Sequence, residues 1–298
     1  MPVEISNFFS DRTVTDVAIN AFDRIAYKRD GLWLIGESPF ESDSEFADWL
    51  VDLVESADGR LDFSHPAASV SLDGFRIHAL IGGKVAANPS ATIRRLKQPD
   101  RELKFDDLAS HIRFDFLREA IRQRQNILIA GPAGAGKTSL LRALMGEAGL
   151  ERVVTIEDVA ELQLDLPNVV SLVAREANVE GAGEFGLNDL LVQALRMSPD
   201  RLALGEIRGA ELVVALNALN TGHSGAGATI HANTMQAVIS RLESLASLCG
   251  LSIPALARMV RDAFQIVVFV EASNGHRISG IARFAIMGDQ LSIEPIHG

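Results

Sequence analysis

The sequence predicts an α/β protein: a small N-terminal α/β domain, then a larger domain built on a mostly parallel sheet. Three observations carry this. Beyond residue 103, short apolar runs alternate with stretches of helical periodicity, as when strands cross over through helices into a parallel sheet. A Gly-rich segment, GPAGAGKT, follows one of those apolar runs directly and opens a helical stretch. Finally, 298 residues exceed the usual size of one domain, so two is the natural division.

In the first hundred residues, DGLWLIGE reads as a strand. SEFADWLVDLVESADG reads as a helix, because Phe46, Trp49, Leu50, Leu53 and Val54 fall on one face behind a Ser/Asp start signal. ASVSLDGFRIHALIGG predicts a hairpin turning at Asp73-Gly74, and ATIRRL a further short strand. The polar, proline-bearing KQPDREL, residues 97–103, is the expected linker, which sets the domains at 1–103 and 104–298. Past it, DDLASHIRFDFLREAIRQRQ reads as a helix. Strands are predicted at NILIA, ERVVTIED, NVVSLVA, DRLALGE and GATIHA, and helices at KTSLLRALMGEA, NDLLVQALRM and AELVVALNALN. TMQAVISRLESLASLCG and IPALARMVRDAFQ carry apolar residues at helix spacing, which a packed core explains. The tail, QIVVFVEAS to LSIEPI, has β-hairpin character.

Composition narrows the function classes. With 47% hydrophobic and 22% charged residues the chain is globular, not disordered or fibrous. Its net charge of -11 repels a polyphosphate backbone unless the cations cluster, and aromatics are only 6%, so nucleic acid is not an expected partner. Cys249 is the only cysteine; it excludes an internal disulfide, fits a reducing compartment, and its setting SLASLCGL predicts a buried thiol. The N-terminus, MPVEISNFFSDRTV, lacks the basic-then-apolar order of a signal peptide, and the longest uncharged stretch is broken by Asn, Gly, His and Thr. The expected location is cytoplasmic, with any membrane association peripheral.

GPAGAGKT matches GxxxxGK[ST] through Gly131, Gly136, Lys137 and Thr138. The segment Gly131, Pro132, Ala133, Gly134, Ala135, Gly136, Lys137, Thr138 and Ser139 is therefore the expected phosphate cradle. Its glycines turn backbone N–H groups inward, the helix N-terminus adds its positive end, Lys137 reaches the outer phosphates and Thr138 can ligate Mg²⁺. ATP and Mg²⁺ are the cofactors this implies. A plain structural turn is the alternative, and the strand before with the helix after favours the cradle.

Hydrolysis also needs a group that handles water and one that neutralises charge. Glu206 ends the apolar strand RLALG, where ligands collect in open α/β sheets, and with Thr138 it is expected nearest the metal. Glu157 and Asp158 end ERVVTIED and could hold Mg²⁺ through water, with helix capping as the competing role.

TIEDVAELQL, ALRMSPDRLALGEIRG and TGHSGAGATIHANT, in that order after GPAGAGKT, resemble the Asp box, Walker B region and His box of the type II/IV secretion ATPases. The nearest branch is CpaF/TadA, which powers Tad (Flp) pili. The likeness runs from about Gly31 to the C-terminus and is weaker in the N-terminal module, where LDGFRIHALI and TIRRL match. It departs at the start, where many members carry a longer region. The resemblance implies a RecA-like P-loop ATPase domain in a homo-hexameric ring, with nucleotide between the N-terminal module and that domain. Such a ring powers pilus assembly or protein secretion through an inner-membrane platform protein, from the cytoplasmic face. It implies that Glu206 acts on the attacking water and that Gly205 stands where many P-loop enzymes carry a Mg²⁺-binding Asp. His231 is then the His-box residue, with His223 second to it. Arg196 and Arg208 match the subunit-bridging arginines; Arg76 and Arg94 match arginines that reach the phosphates, with Arg95 the neighbour most easily confused with Arg94. A RecA-like nucleic-acid translocase or conjugative DNA-transfer ATPase is the alternative. A phosphotransferase or nucleotide switch would need an acceptor pocket, for which no motif is present.

Overall fold

A computed structural model describes residues 3–83, 85–96, 108–175, 183–272 and 276–296. The chain divides into two compact units, Met1–Gln98 with Glu176–Glu184, and Pro99–Arg175 with Phe185–Gly298. The expected linker, residues 97–103, lies outside the described residues.

The first unit runs α1 (Val3–Phe8), β1 (Val14–Ala21), β2 (Arg24–Arg29), β3 (Leu32–Gly36), α2 (Asp43–Glu55), β4 (Ala67–Leu72), β5 (Phe75–Leu80) and β6 (Ser90–Arg95). Its strands form a six-stranded antiparallel sheet in the order β3-β2-β1-β6-β5-β4. Alternate strand residues, among them Val17, Ile19, Ile25, Ile77 and Ile93, join Phe46, Leu50, Leu53 and Val54 of α2 in one core, while Trp49 is half-buried beside it. The helix starts where the sequence signals it. Ser42 Oγ accepts from the Glu45 amide at 3.2 Å, and the Glu45 carboxylate reaches back to the Glu41 amide at 2.7 Å. Asp73 and Gly74, with φ of 50° and 82°, make the tight turn joining β4 to β5.

The second unit runs α3 (Leu108–Arg122), β7 (Ile127–Gly131), α4 (Lys137–Met145), β8 (Val153–Glu157), β9 (Val169–Val173), α5 (Leu187–Ala194), β10 (Arg201–Leu204), α6 (Glu211–Asn220), β11 (Gly227–His231), α7 (Ala237–Leu248), α8 (Ile253–Ala263), β12 (Ile266–Ala272), β13 (His276–Met287) and β14 (Gln290–Pro295). The sheet order is β14-β13-β12-β7-β11-β10-β8-β9, parallel from β12 to β9. β12 is thus more than a hairpin arm: it pairs parallel with β7 and brings the antiparallel β13 and β14 onto the main sheet.

Every residue of β7, β8 and β10 is buried, so these strands show no polar-apolar alternation, and Thr155, Glu157 and Arg201 are buried among their apolar residues. Neighbours along β7 face opposite layers. Leu128 and Ala130 pack with residues of α5 to α8, whereas Ile127 and Ile129 pack with residues of α3 and α4. The register pairs His231 with Gly131 and Leu204 with Ile156, so β7, β11, β10 and β8 end along one rim. Cys249 departs from expectation: it is the half-buried residue that ends α7, next to a Leu248 that is 77% exposed, so the thiol sits at the margin of the core and not within it. Among the described residues no helix is long and apolar enough to cross a membrane.

Candidate nucleotide site

The rim carries the Gly-rich segment. Gly134 and Gly136 take φ of 75° and 89°, the left-handed region that lets successive amides turn the same way. α4 begins at Lys137 with no side chain capping it, which leaves first-turn N–H groups facing outward for an anion. Gly131 serves packing: a Cβ there would stand 2.4 Å from the Val270 carbonyl oxygen on β12.

Lys137 is buried and folds back over the loop. Its Nζ donates to the Gly131 and Pro132 carbonyls at 3.1 and 2.9 Å and to His231 Nδ1 at 3.1 Å. Burial lowers the lysine's pKa, while the Glu206 and Glu161 charges oppose the shift. Burial, then the Lys137 charge, also pushes the His231 imidazole below its ordinary range, with Glu206 opposing and Arg208 and Arg241 reinforcing the shift. A neutral ring accepting at Nδ1 carries its proton on Nε2, which lies 3.3 Å from Glu206 Oε1. Glu206 Oε2 is 3.2 Å from Arg208 Nε, and Arg208 Nη1 donates to Asp158 Oδ2 at 2.9 Å. Lys137, His231, Glu206, Arg208 and Asp158 therefore form one continuous chain of polar contacts. The loop carrying Arg208 is itself fixed: the buried Glu211 carboxylate accepts from the Arg208 and Gly209 amides, and the Ile207 amide donates to Thr229 O at 2.9 Å.

Glu157 and Asp158, adjacent in sequence, part company. Asp158 joins the ionic chain, whereas Glu157 is buried and accepts from the Glu161 and Leu162 amides at 3.0 and 2.8 Å. It holds a turn, and no helix follows for it to cap. Burial raises its pKa, the two amide bonds working against that. The acid that approaches Thr138 is instead Glu161, whose Oε2 accepts from the threonine hydroxyl at 3.3 Å. Hydroxyl and carboxylate oxygens are hard donors that suit Mg²⁺. No cluster of three or more His, Cys, Asp or Glu able to hold a metal occurs among the described residues, so Mg²⁺ would complete its shell with phosphate oxygens and water.

Other expected residues lie elsewhere. Arg196 is exposed in a short turn that follows α5, beside Met197, whose carbonyl accepts from Arg152 just ahead of β8. That is the opposite rim from Glu206. His223 Nδ1 lies 3.1 Å from the Ala218 carbonyl at the end of α6, also away from the cluster. Arg76 and Arg94 belong to the first unit and face each other across β5 and β6; Arg94 Nε donates to Asp16 at 2.7 Å. Arg95 is structural, its guanidinium holding the Phe9, Asp11 and Val14 carbonyls. Two site residues go unassigned in the sequence reading: Glu161, within TIEDVAELQL and four residues beyond Glu157, and Arg241, on the helix after the His box, whose Nε is buried without a hydrogen-bond partner.

The profile of the family described as "Type II/IV secretion system protein" matches residues 58–268. A Mycobacterium tuberculosis protein named for conjugal transfer is 36% identical over 275 residues, covering 88% of this chain and 78% of the relative. The type IV secretion system protein VirB11 of Bartonella henselae is 30% identical, covering 81% and 78%. Among solved structures, the VirB11 ATPase of the Brucella suis type IV secretion system, in complex with sulphate, is 25% identical with a TM-score of 0.52, covering 94% of this chain and 92% of that one. The pilus retraction motor PilT with bound ADP gives 20% identity and a TM-score of 0.62, covering 98% and 82%, which bears on the fold alone. The chain belongs to the type II/IV secretion system protein family.

Proposed function

We propose that this protein is an ATPase motor whose subunits close into a homo-hexameric ring, of the CpaF/TadA branch. Its hydrolysis drives pilus assembly or protein secretion through an inner-membrane platform protein, from the cytoplasmic face. The observation that carries the catalytic part is the unbroken polar chain from Lys137 through His231 and Glu206 to Arg208 at the mouth of the phosphate loop. The loop amides and Lys137 bind the phosphates, Thr138 takes the metal with Glu161 beside it, and Glu206 receives the proton of the attacking water. Mg²⁺, when bound, neutralises charge on the phosphate oxygens. Because His231 joins Lys137 to Glu206, a shift of the lysine onto phosphate is felt at the catalytic carboxylate. Arg208 supplies charge neutralisation within the subunit. Arg196, exposed on the far rim, is proposed to act across a subunit boundary, and Arg76 and Arg94 are proposed as further phosphate contacts. The division of the chain within residues 97–103 belongs to the same reading.

Oligomeric mass with and without a non-hydrolysable ATP analogue tests the ring. A six-fold mass is the expected result, and a persistent monomer at high concentration would remove the hexamer. A conjugative DNA-transfer ATPase is the second reading, favoured by relatives named for conjugal transfer. The net charge of -11 weighs against direct DNA translocation. ATPase rates with and without single-stranded and duplex DNA separate the two: no stimulation is expected, and strong stimulation would favour translocation.

A further inference from the structure

We propose that Glu157 is a positioning residue and not a metal ligand: it folds the 158–162 turn that presents Asp158 and Glu161 to the site, and its side chain dictates glycine at 205. The inference rests on the reading of the site as one for Mg²⁺ and ATP.

Glu157 ends β8 with 2% of its surface exposed. Its Oε1 accepts from two successive amides, those of Glu161 and Leu162, and its Oε2 is buried with no partner. A ligand that holds Mg²⁺ through water needs an oxygen open to that water, and this carboxylate offers none. The same turn is gripped from its other side. Arg142 of α4 donates to the carbonyl oxygens of Glu161 and Leu162, so both amides and both carbonyls of the pair are bonded to side chains. The Leu162 side chain is buried in the core beneath. With the backbone fixed at these points, the Glu161 carboxylate reaches the Thr138 hydroxyl and Asp158 reaches Arg208.

Gly205 completes the arrangement. A Cβ at this position would stand 2.9 Å from Glu157 Cγ and 3.4 Å from its Cβ and Oε1. The main chain cannot retreat easily, because the Gly205 amide donates to Ile156 O at 2.9 Å and the Gly205 carbonyl accepts from Thr229 Oγ1. An aspartate at the end of β10 and a glutamate at the end of β8 would compete for one volume. This chain keeps the glutamate, and the acid beside the Thr138 hydroxyl comes from the turn that the glutamate holds.

Glu157→Gln keeps an acceptor oxygen and discards the charge; Glu157→Ala discards both. The readouts are hydrogen exchange at the Glu161 and Leu162 amides, which needs no turnover, and the Mg²⁺ dependence of ATP hydrolysis. Glu157→Gln is expected to preserve amide protection and to leave the half-saturating Mg²⁺ within about threefold of wild type. Glu157→Ala, losing two hydrogen bonds to a charged acceptor, is expected to lower protection of those amides and raise half-saturating Mg²⁺ by about tenfold or more. Gly205→Ala should destabilise the wild-type background and be close to neutral beside Glu157→Ala. Normal amide protection with a Mg²⁺ requirement as impaired in Glu157→Gln as in Glu157→Ala would overturn the proposal, because the charge itself would then act on the metal. Unchanged protection in Glu157→Ala would overturn it too, and if that variant does not fold, Glu157→Gln decides alone. A wild-type protein without Mg²⁺-dependent turnover would instead remove the ATPase reading and leave the exchange result standing.

Discussion

Arg208 occupies the pivot of the site, since its guanidinium touches both Glu206 and Asp158. With two carboxylates in hand it is oriented before any phosphate arrives, and in the proposed mechanism release of one of them brings its charge to the transferred group. Arg208→Ala is expected to lower turnover about a hundredfold or more while changing ATP affinity little, as measured by steady-state hydrolysis and equilibrium binding on the same assembled sample. An unchanged turnover number would take Arg208 out of the site. The identities of Lys137, Thr138 and Glu206 were legible in the sequence because a strand, a glycine loop and a helix specify their placement through local geometry. Arg241 was not, since nothing near it in sequence signals the site; Glu161 lies within TIEDVAELQL, but only the structure brings its carboxylate to the Thr138 hydroxyl. The same holds for Glu157: sequence shows an acid at a strand end, and only packing shows that it is buried and turned onto backbone amides.

At the scale of elements, buried parallel strands announced themselves as apolar runs, and α2 through its face and its start signal. Ser42 is the cap of that helix, accepting from Glu45 N, and Ser42→Ala is expected to destabilise the first unit by about 1 kcal/mol in chemical denaturation. A change below the detection limit would mean that the packing of Phe46 and Leu50 sets the helix start unaided. α1, β1 and β2 carry no clear signal in the sequence, for a physical reason. β1 and β2 place Asp16, Asn20, Arg24 and Lys28 among their apolar residues, and α1 spans only six residues, so neither pattern is long or clean. In sequence β12 reads as a hairpin arm, because its apolar run suits either role and its parallel partner β7 lies far upstream.

For the whole molecule, division of labour follows from which rim each group occupies. Glu206, Arg208, His231 and Lys137 gather at one edge of the large sheet, while Arg196 stands at the other. In a ring, opposite edges of adjacent subunits can serve one nucleotide, which gives an exposed arginine far from its own phosphate loop a use. An acidic chain with an exposed arginine at that rim is a poor match for a polyanion. Underlying all of this is a single claim, that the loop from Gly131 to Ser139 grips a triphosphate and Glu206 readies the water that attacks it. The most direct measurement compares ATP binding and turnover in Glu206→Gln and Lys137→Ala. The account predicts that the first variant binds Mg²⁺-ATP as tightly as wild type without turning it over, and that the second loses tight binding. Hydrolysis at the wild-type rate in Glu206→Gln would contradict it.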